Sequence, residues 1–143
     1  MIGDFSVKIQ DQILAHGELL SAKLLVFLLN QKGIPAKLVD TRELIITDSN
    51  FGDAQPLEAI SKKNIIQIFK ENKDSVLVIT GFIGSNAKHE TTTLGRNGSN
   101  YTASLVANYI NAEELQNFTH VDGIYTANPE LVLDAKKIEF LSY

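Results

Sequence analysis

Apolar residues recur at helical spacing close to the N-terminus. From Asp11 to Asn30, isoleucine and leucine return every three or four positions, which predicts a helix. Gly17 lies inside this pattern, so we predict a kink or a break after His16. Gly33 suits the left-handed position that commonly follows the last turn of a helix, and we predict that it ends this one.

Two later segments show the same periodicity. The first predicts a helix from Ser61, as its N-cap, to about Lys73. The second predicts a helix from about Ser99 to Ile110, with Ser99 or Asn100 as the cap. The chain therefore carries at least three helical segments separated by shorter elements.

Short apolar runs between the helices predict strands. They are residues 36–40, 44–47, 75–80 and 115–119, and 75–80 ("SVLVIT") is apolar nearly throughout, as in a strand covered on both faces. Residues 81–98 and 121–129 are polar and rich in turn residues, so we predict loops there. Strands that alternate with helices predict an α/β sheet with helices on both faces.

Composition narrows the functional classes. The chain has 143 residues, 44% of them hydrophobic, which fits one domain with a sizeable core. The net charge of −4 without a basic stripe argues against nucleic acid, and the absence of cysteine excludes a thiolate metal site. The three histidines are not at ligand spacing, so no metal site is predicted. The longest apolar run, Leu24–Leu29, is far too short to span a bilayer, and we expect a soluble cytoplasmic protein.

A glycine loop follows the strand at 75–80. Ligands of open α/β sheets bind at the carboxyl ends of the strands, and Gly81 and Gly84 would let the backbone approach a ligand. The alternative is that both are ordinary turn glycines.

A second glycine loop, "LGRNGSN" (94–100), leads directly into a helix. A helix N-terminus holds anions through its free N–H groups, and Arg96 could clamp a carboxylate or phosphate with two parallel hydrogen bonds. The alternative is a capped helix beside a solvated arginine.

The order of these segments carries a resemblance. Together, "HGELLSAKLL", "DSNFGDA", "VLVITGFIGS", "TTTLGRNGSNYTASLVA" and "THVDGIYTANP" resemble the aspartokinases of the amino acid kinase family. The resemblance implies a three-layer α/β/α sandwich with a mostly parallel sheet. It also implies transfer of the γ-phosphoryl group of ATP, with Mg²⁺, to the side-chain carboxylate of L-aspartate. That reaction begins lysine, threonine and methionine biosynthesis, and the parent protein is expected to be a homo-oligomer.

The resemblance assigns roles to particular residues. Glu18 would bind the substrate amino group, Arg96 would clamp its α-carboxylate, and Ser99 and Asn100 would lie at the same site. The residues expected near the phosphates and the nucleotide are Gly81, Gly84, Thr119, His120 and Tyr125.

Departures from the family pattern leave a second interpretation open. Asn97 stands for a glycine, Asn100 for an aspartate and His120 for an acid. Asn128 and Glu130 replace the usual Asp and Arg beside Pro129. A non-catalytic binding or scaffold domain with a degenerate kinase site is therefore the alternative function.

The family's lysine-bearing glycine loop and its regulatory ACT domains have no counterpart in these 143 residues. We therefore expect residues 1–143 to be an internal piece of an aspartokinase catalytic domain that is inactive alone. The parent would be a stand-alone aspartokinase or the kinase half of a bifunctional aspartokinase–homoserine dehydrogenase, and the catalytic residue is unknown.

Overall fold

The computed structural model describes residues 6–119 and 122–139. In chain order the elements are helix α1 (Val7–Gln31), strand β1 (Ala36–Val39), a 3₁₀ turn (Thr41–Glu43), β2 (Ile46–Thr47), helix α2 (Glu58–Glu71), β3 (Val76–Ile79), β4 (Ile83–Asn86), β5 (Thr91–Thr93), helix α3 (Gly98–Ile110), β6 (Ile124–Tyr125) and β7 (Lys137–Ile138).

The strand pairs that a helix connects are parallel, and the pairs without a helix between them are antiparallel. Strand β1 pairs in parallel with β3, from Ala36 opposite Val76 to Val39 opposite Ile79. Strand β2 pairs in parallel with β4, which continues into an antiparallel pair with β5. Strands β6 and β7 form a separate antiparallel pair. The predicted parallel pairing is present, and the two antiparallel pairs were not predicted.

The described elements form three layers. The main core joins the strand region to α2 and α3, with Ile45, Ile65 and Tyr109 among its buried members. Helix α1 contributes nothing to that cluster, yet it contacts β1, β3 and β5. Helices therefore cover both faces of the sheet region, which confirms the predicted α/β class.

Helix α1 runs without interruption through Gly17, so the predicted break after His16 is wrong. Glycine in an exposed helix interior costs only about 1 kcal/mol, and the contacts along α1 outweigh that cost. The predicted end is confirmed: Gly33 has φ +75°, and the Ile34 N–H donates to the Leu29 carbonyl across the last turn.

Helix α1 is also long and apolar enough, by length and composition alone, to cross a membrane. The expectation drawn from the run Leu24–Leu29 overlooked this, because the helix extends well beyond that run. Only 11% of its most apolar stretch is buried among the described residues. One such helix is weak evidence for a membrane span, because mostly buried core helices of soluble proteins and signal sequences near an N-terminus pass the same test. Helix α1 contacts the sheet, and its buried residues are Asp11, Ala15 and Ala22.

Helix α2 begins earlier than predicted. Leu57 is its N-cap, and Ser61 lies fully buried inside the first turn. The Ser61 hydroxyl accepts from the Ile46 N–H and donates to the Ile46 carbonyl, so it bonds to the sheet and not to its own helix. The predicted Ser61 cap is therefore wrong.

The segments predicted as loops contain strands. Residues 81–98 hold the buried hairpin of β4 and β5, and residues 121–129 hold β6. Conversely, residues 115–119 form no regular structure, against the prediction of a strand.

Candidate active site

The loop after β3 packs directly on the N-terminus of α3. A Cβ atom on Gly81 would lie 2.8 Å from both Cβ and Oγ of Ser99 and 2.9 Å from its Cα. A Cβ atom on Gly98 would lie 2.8 Å from the Phe82 ring. Both glycines are needed because the two segments approach so closely.

Thr102 joins the same two segments and was not identified from the sequence. Its hydroxyl accepts from the Phe82 N–H at 3.2 Å and donates to the Gly98 carbonyl at 2.9 Å. Phe82 has φ +68°, an unusual conformation for a bulky residue, and this hydrogen bond helps to hold it. A threonine one turn inside a helix carries no sequence signal for such a role.

Glu18 of α1 reaches this junction. Its Oε1 accepts from the Ser99 hydroxyl at 3.1 Å, and its Oε2 accepts from the Gly81 N–H at 3.3 Å. The structure therefore brings together three of the predicted site residues. Gly81 and Ser99 lie 63 and 81 positions from Glu18 along the chain.

A cleft of about 540 Å³ opens beside these three residues. Glu18, Gly81 and Ser99 form part of its lining, and most of the remainder is apolar, with Leu77 and Val106 on its walls. A mainly apolar cleft with a few convergent polar groups is the usual form of a small-molecule site.

Arg96 lies in the turn that precedes α3. It is exposed and makes no hydrogen bond or ion pair with the described part of the chain. Gly95 and Asn97 on either side have φ +71° and +62°. Within residues 6–119 and 122–139 the guanidinium therefore has no polar partner, and it is exposed to solvent.

The N-terminus of α3 has no side-chain cap among the described residues. Asn97 occupies the N-cap position without a capping hydrogen bond, so the predicted caps Ser99 and Asn100 are wrong. The Ser99 hydroxyl instead binds Glu18, and Asn100 is an exposed residue of the first turn. An uncapped helix N-terminus keeps a positive partial charge beside Glu18 and Arg96.

Gly84 lies away from this junction. It is buried in β4, where a Cβ atom would lie 2.8 Å from the Ile45 carbonyl oxygen. Close packing therefore accounts for glycine at this position. Its predicted role near a phosphate remains a prediction.

Thr119, one of the residues predicted to line a nucleotide pocket, lies at a different cavity. This cavity of about 380 Å³ has Thr119, Asp122 and Ile124 in its lining and shares no lining residue with the cleft beside Glu18. Tyr125 donates to Asp122 Oδ1 at 2.7 Å, and this hydrogen bond raises the pKa of Tyr125. His120 lies outside the described residues.

No cluster of three or more histidine, aspartate or glutamate side chains suited to a metal ion occurs in residues 6–119 and 122–139. The sequence-based expectation of no dedicated metal site remains a prediction.

Comparison with known proteins assigns the family. The sequence profile of the amino acid kinase family matches residues 4–143. The chain belongs to the amino acid kinase family. Lysine-sensitive aspartokinase 3 of Escherichia coli K12 is 37% identical over 139 residues, which are 96% of this chain and 31% of that protein. The chloroplastic bifunctional aspartokinase/homoserine dehydrogenase 2 of Zea mays is 34% identical over 142 residues, 99% of this chain and 16% of that protein.

A solved structure shows the same fold. The crystal structure of E. coli aspartokinase III in complex with aspartate and ADP matches 93% of this chain with a TM-score of 0.88 and 38% sequence identity, and the match covers 30% of that chain. This kinase-family chain thus spans about a third or less of the length of these relatives.

Proposed function

We propose that this chain forms the aspartate-binding part of an aspartate kinase catalytic domain. The enzyme transfers the γ-phosphoryl group of ATP to the side-chain carboxylate of L-aspartate and gives 4-phospho-L-aspartate. The observation that carries this proposal is the pair of opposite charges at the N-terminus of α3. Glu18 is bound to Ser99 and Gly81, and Arg96 has no hydrogen bond or ion pair in the described part of the chain. The relative in complex with aspartate and ADP supports the same substrates.

An α-amino acid carries a carboxylate and an ammonium group on one carbon, so its binding site needs a cation and an anion close together. Arg96 offers two parallel N–H donors to the α-carboxylate. Each Glu18 oxygen accepts one protein hydrogen bond and retains acceptor capacity for the substrate ammonium. Ser99 and Gly81 orient the Glu18 carboxylate, and Asn100 would lie in the same helix turn.

The second part of the proposed site would bind the nucleotide. Phosphoryl transfer depends mainly on positioning and charge neutralisation. The Gly81 loop would lie close to the transferred group, with Gly84 behind it, and Thr119, His120 and Tyr125 would contact the nucleotide. Mg²⁺ would arrive with ATP, since it is usually bound through phosphates and one or two carboxylates. The whole enzyme would be a cytoplasmic homo-oligomer.

Substitution of Arg96 tests the proposal in the full-length protein. Arg96→Lys keeps the charge and loses the bidentate pair, so the KM for aspartate should rise by about 10- to 100-fold, as expected for a charged hydrogen bond worth roughly 1.5–3 kcal/mol. The KM for ATP should stay within about twofold, because this interaction is made only with aspartate. Lys88→Gln removes an exposed cation without a predicted role and is the matched control.

A coupled assay of ADP release with aspartate and MgATP measures both constants. Equal increases in the two KM values after Arg96→Lys would contradict the assignment, because they would mean that Arg96 contacts phosphate. The alternative of a non-catalytic scaffold domain is favoured by the neutral Asn100. A folded full-length protein that releases no ADP in the presence of aspartate would support that alternative.

A further inference from the structure

Asp11 is a buried carboxylate outside the predicted site. Only 1% of its surface is exposed, and it accepts three hydrogen bonds. Its Oδ2 accepts from the Gly52 N–H at 2.9 Å and the Thr93 N–H at 3.0 Å, and its Oδ1 accepts from the Thr93 hydroxyl at 2.7 Å. No cation pairs with it in the described part of the chain. Burial of a carboxylate costs free energy unless hydrogen bonds satisfy it. A buried carboxylate with three hydrogen bonds therefore holds its donor groups in a fixed arrangement.

The three bonds join the loop 48–56 to the end of β5. The Ala54 N–H donates to the Thr93 carbonyl at 2.9 Å, which fixes the other side of Thr93 to the same loop. Within the loop, the Asp48 carboxylate accepts from the Gln55 N–H at 3.1 Å. The two ends of the loop are thus bonded to each other, and the loop is joined to β5 both directly and through Asp11.

This loop covers the turn that carries Arg96. A Cβ atom on Gly95 would lie 2.5 Å from Asp53 Oδ1 and 3.3 Å from the Gly52 carbonyl. Gly95 is two positions beyond Thr93 and directly before Arg96. Asp11 therefore holds both the strand from which the turn leaves and the loop on which the turn rests.

We propose that Asp11 is a positioning residue that sets the orientation of Arg96 through Thr93 and the loop 48–56. Arg96 makes no hydrogen bond or ion pair of its own with the described residues, so the backbone of its turn sets the position and direction from which its side chain leaves the chain. The expected effect on aspartate binding rests on the proposed function, in which Arg96 binds the α-carboxylate of aspartate.

Two substitutions in the full-length protein separate positioning from general stability. Asp11→Ala removes all three acceptors, and we expect at least a tenfold rise in the KM for aspartate with the KM for ATP within twofold. Asp11→Asn is isosteric: its carbonyl oxygen can accept both N–H groups, and its amide can donate to the Thr93 hydroxyl, which turns to accept. We expect Asp11→Asn to restore the KM for aspartate to within about threefold of the wild type.

Ser61→Ala is the matched control. It removes a buried hydroxyl with two hydrogen bonds to Ile46, so it should destabilise the fold without a change in either KM. If Asp11→Ala lowers the stability of the protein but leaves the KM for aspartate unchanged, as Ser61→Ala should, the proposal is wrong. Equal increases in both KM values would also overturn it.

Hydrogen exchange measured by mass spectrometry gives a readout that does not depend on activity. Asp11→Ala should increase exchange at least tenfold in peptides that cover residues 50–55 and 94–99, and Ser61→Ala should not. If the wild type proves inactive with aspartate, the proposed function fails, and this measurement still decides whether Asp11 holds the turn. Unchanged exchange in both peptides would refute the role of Asp11 whatever the activity.

Discussion

Two glycines of this chain should respond to alanine in opposite directions. Gly81→Ala places a methyl group 2.8 Å from Cβ and Oγ of Ser99 and 2.9 Å from its Cα. Carbon atoms in proteins normally approach to about 3.5–4.0 Å, and Cα is backbone, so the start of α3 must move. Gly17→Ala meets no atom within 4 Å in an exposed part of helix α1.

The magnitudes follow from these distances. Overpacking of this kind costs about 1–3 kcal/mol, and the smaller entropy of unfolded alanine returns about 0.4–1 kcal/mol. We therefore expect Gly81→Ala to lower the free energy of unfolding by about 1–2 kcal/mol. Gly17→Ala should raise it by about 0.5–1 kcal/mol, because alanine is the better helix former. The two variants should differ by about 1.5–3 kcal/mol.

Hydrogen exchange in urea, followed in peptides from β3 and α3, measures the unfolding free energy of this domain within the full-length protein. Ser99→Gly, combined with Gly81→Ala, removes two of the three crowded atoms and should recover part of the loss. Equal stability of Gly81→Ala and Gly17→Ala would refute the close packing of the Gly81 loop on α3.

Two further predictions concern charge. Burial raises the pKa of Asp40, but the hydrogen bonds and charge of Arg42 outweigh burial and hold the pKa below its usual value. The folded pKa of Asp40 is lower than the unfolded pKa of about 3.9. The Asp40–Arg42 pair therefore contributes its full stabilisation above the unfolded pKa, and this stabilisation is lost as the pH falls through the folded pKa. The difference in urea-unfolding free energy between the wild type and Arg42→Gln should therefore be constant above about pH 5 and shrink in acid, and a difference that grows in acid would contradict it. Asn100→Asp should lower kcat/KM about tenfold or more, because it adds a negative charge at the proposed site of two anionic substrates. Steady-state kinetics measure this, and a gain in activity would favour the degenerate-site interpretation instead.

The sequence predicted those helices and strands that depend on residues close to one another in the chain. The periodicity of α1 and α3, the left-handed Gly33 and the apolar run of β3 each depend on residues within a few positions of one another. The Glu18, Gly81 and Ser99 junction was reached in a different way, through the family resemblance. No spacing within the sequence links residues that lie 63 and 81 positions apart.

The β4–β5 hairpin was missed because its buried side chains are polar. Thr91, Thr92 and Thr93 are all buried, yet threonine has no apolar signal that would distinguish a core strand from a loop. Their hydroxyls are satisfied by distant partners: Thr92 binds Thr47 at 2.8 Å, and Thr93 binds Asp11 at 2.7 Å. A buried polar strand is stable only when such partners exist, and hydropathy along the chain cannot reveal them.

Helix α1 shows how such partners also decide which face of a helix turns inward. Its leucine-rich face is the natural candidate for burial, but Leu20 is 70% exposed among the described residues. The inward stripe instead carries small and acidic residues, with Asp11 and Glu18 two turns apart on one side of the helix. The small residues allow α1 to approach the sheet closely, and the two carboxylates then reach backbone N–H groups at Thr93 and Gly81. These polar contacts set the rotation of α1, so the apolar pattern predicts that the helix forms but not which of its faces meets the site.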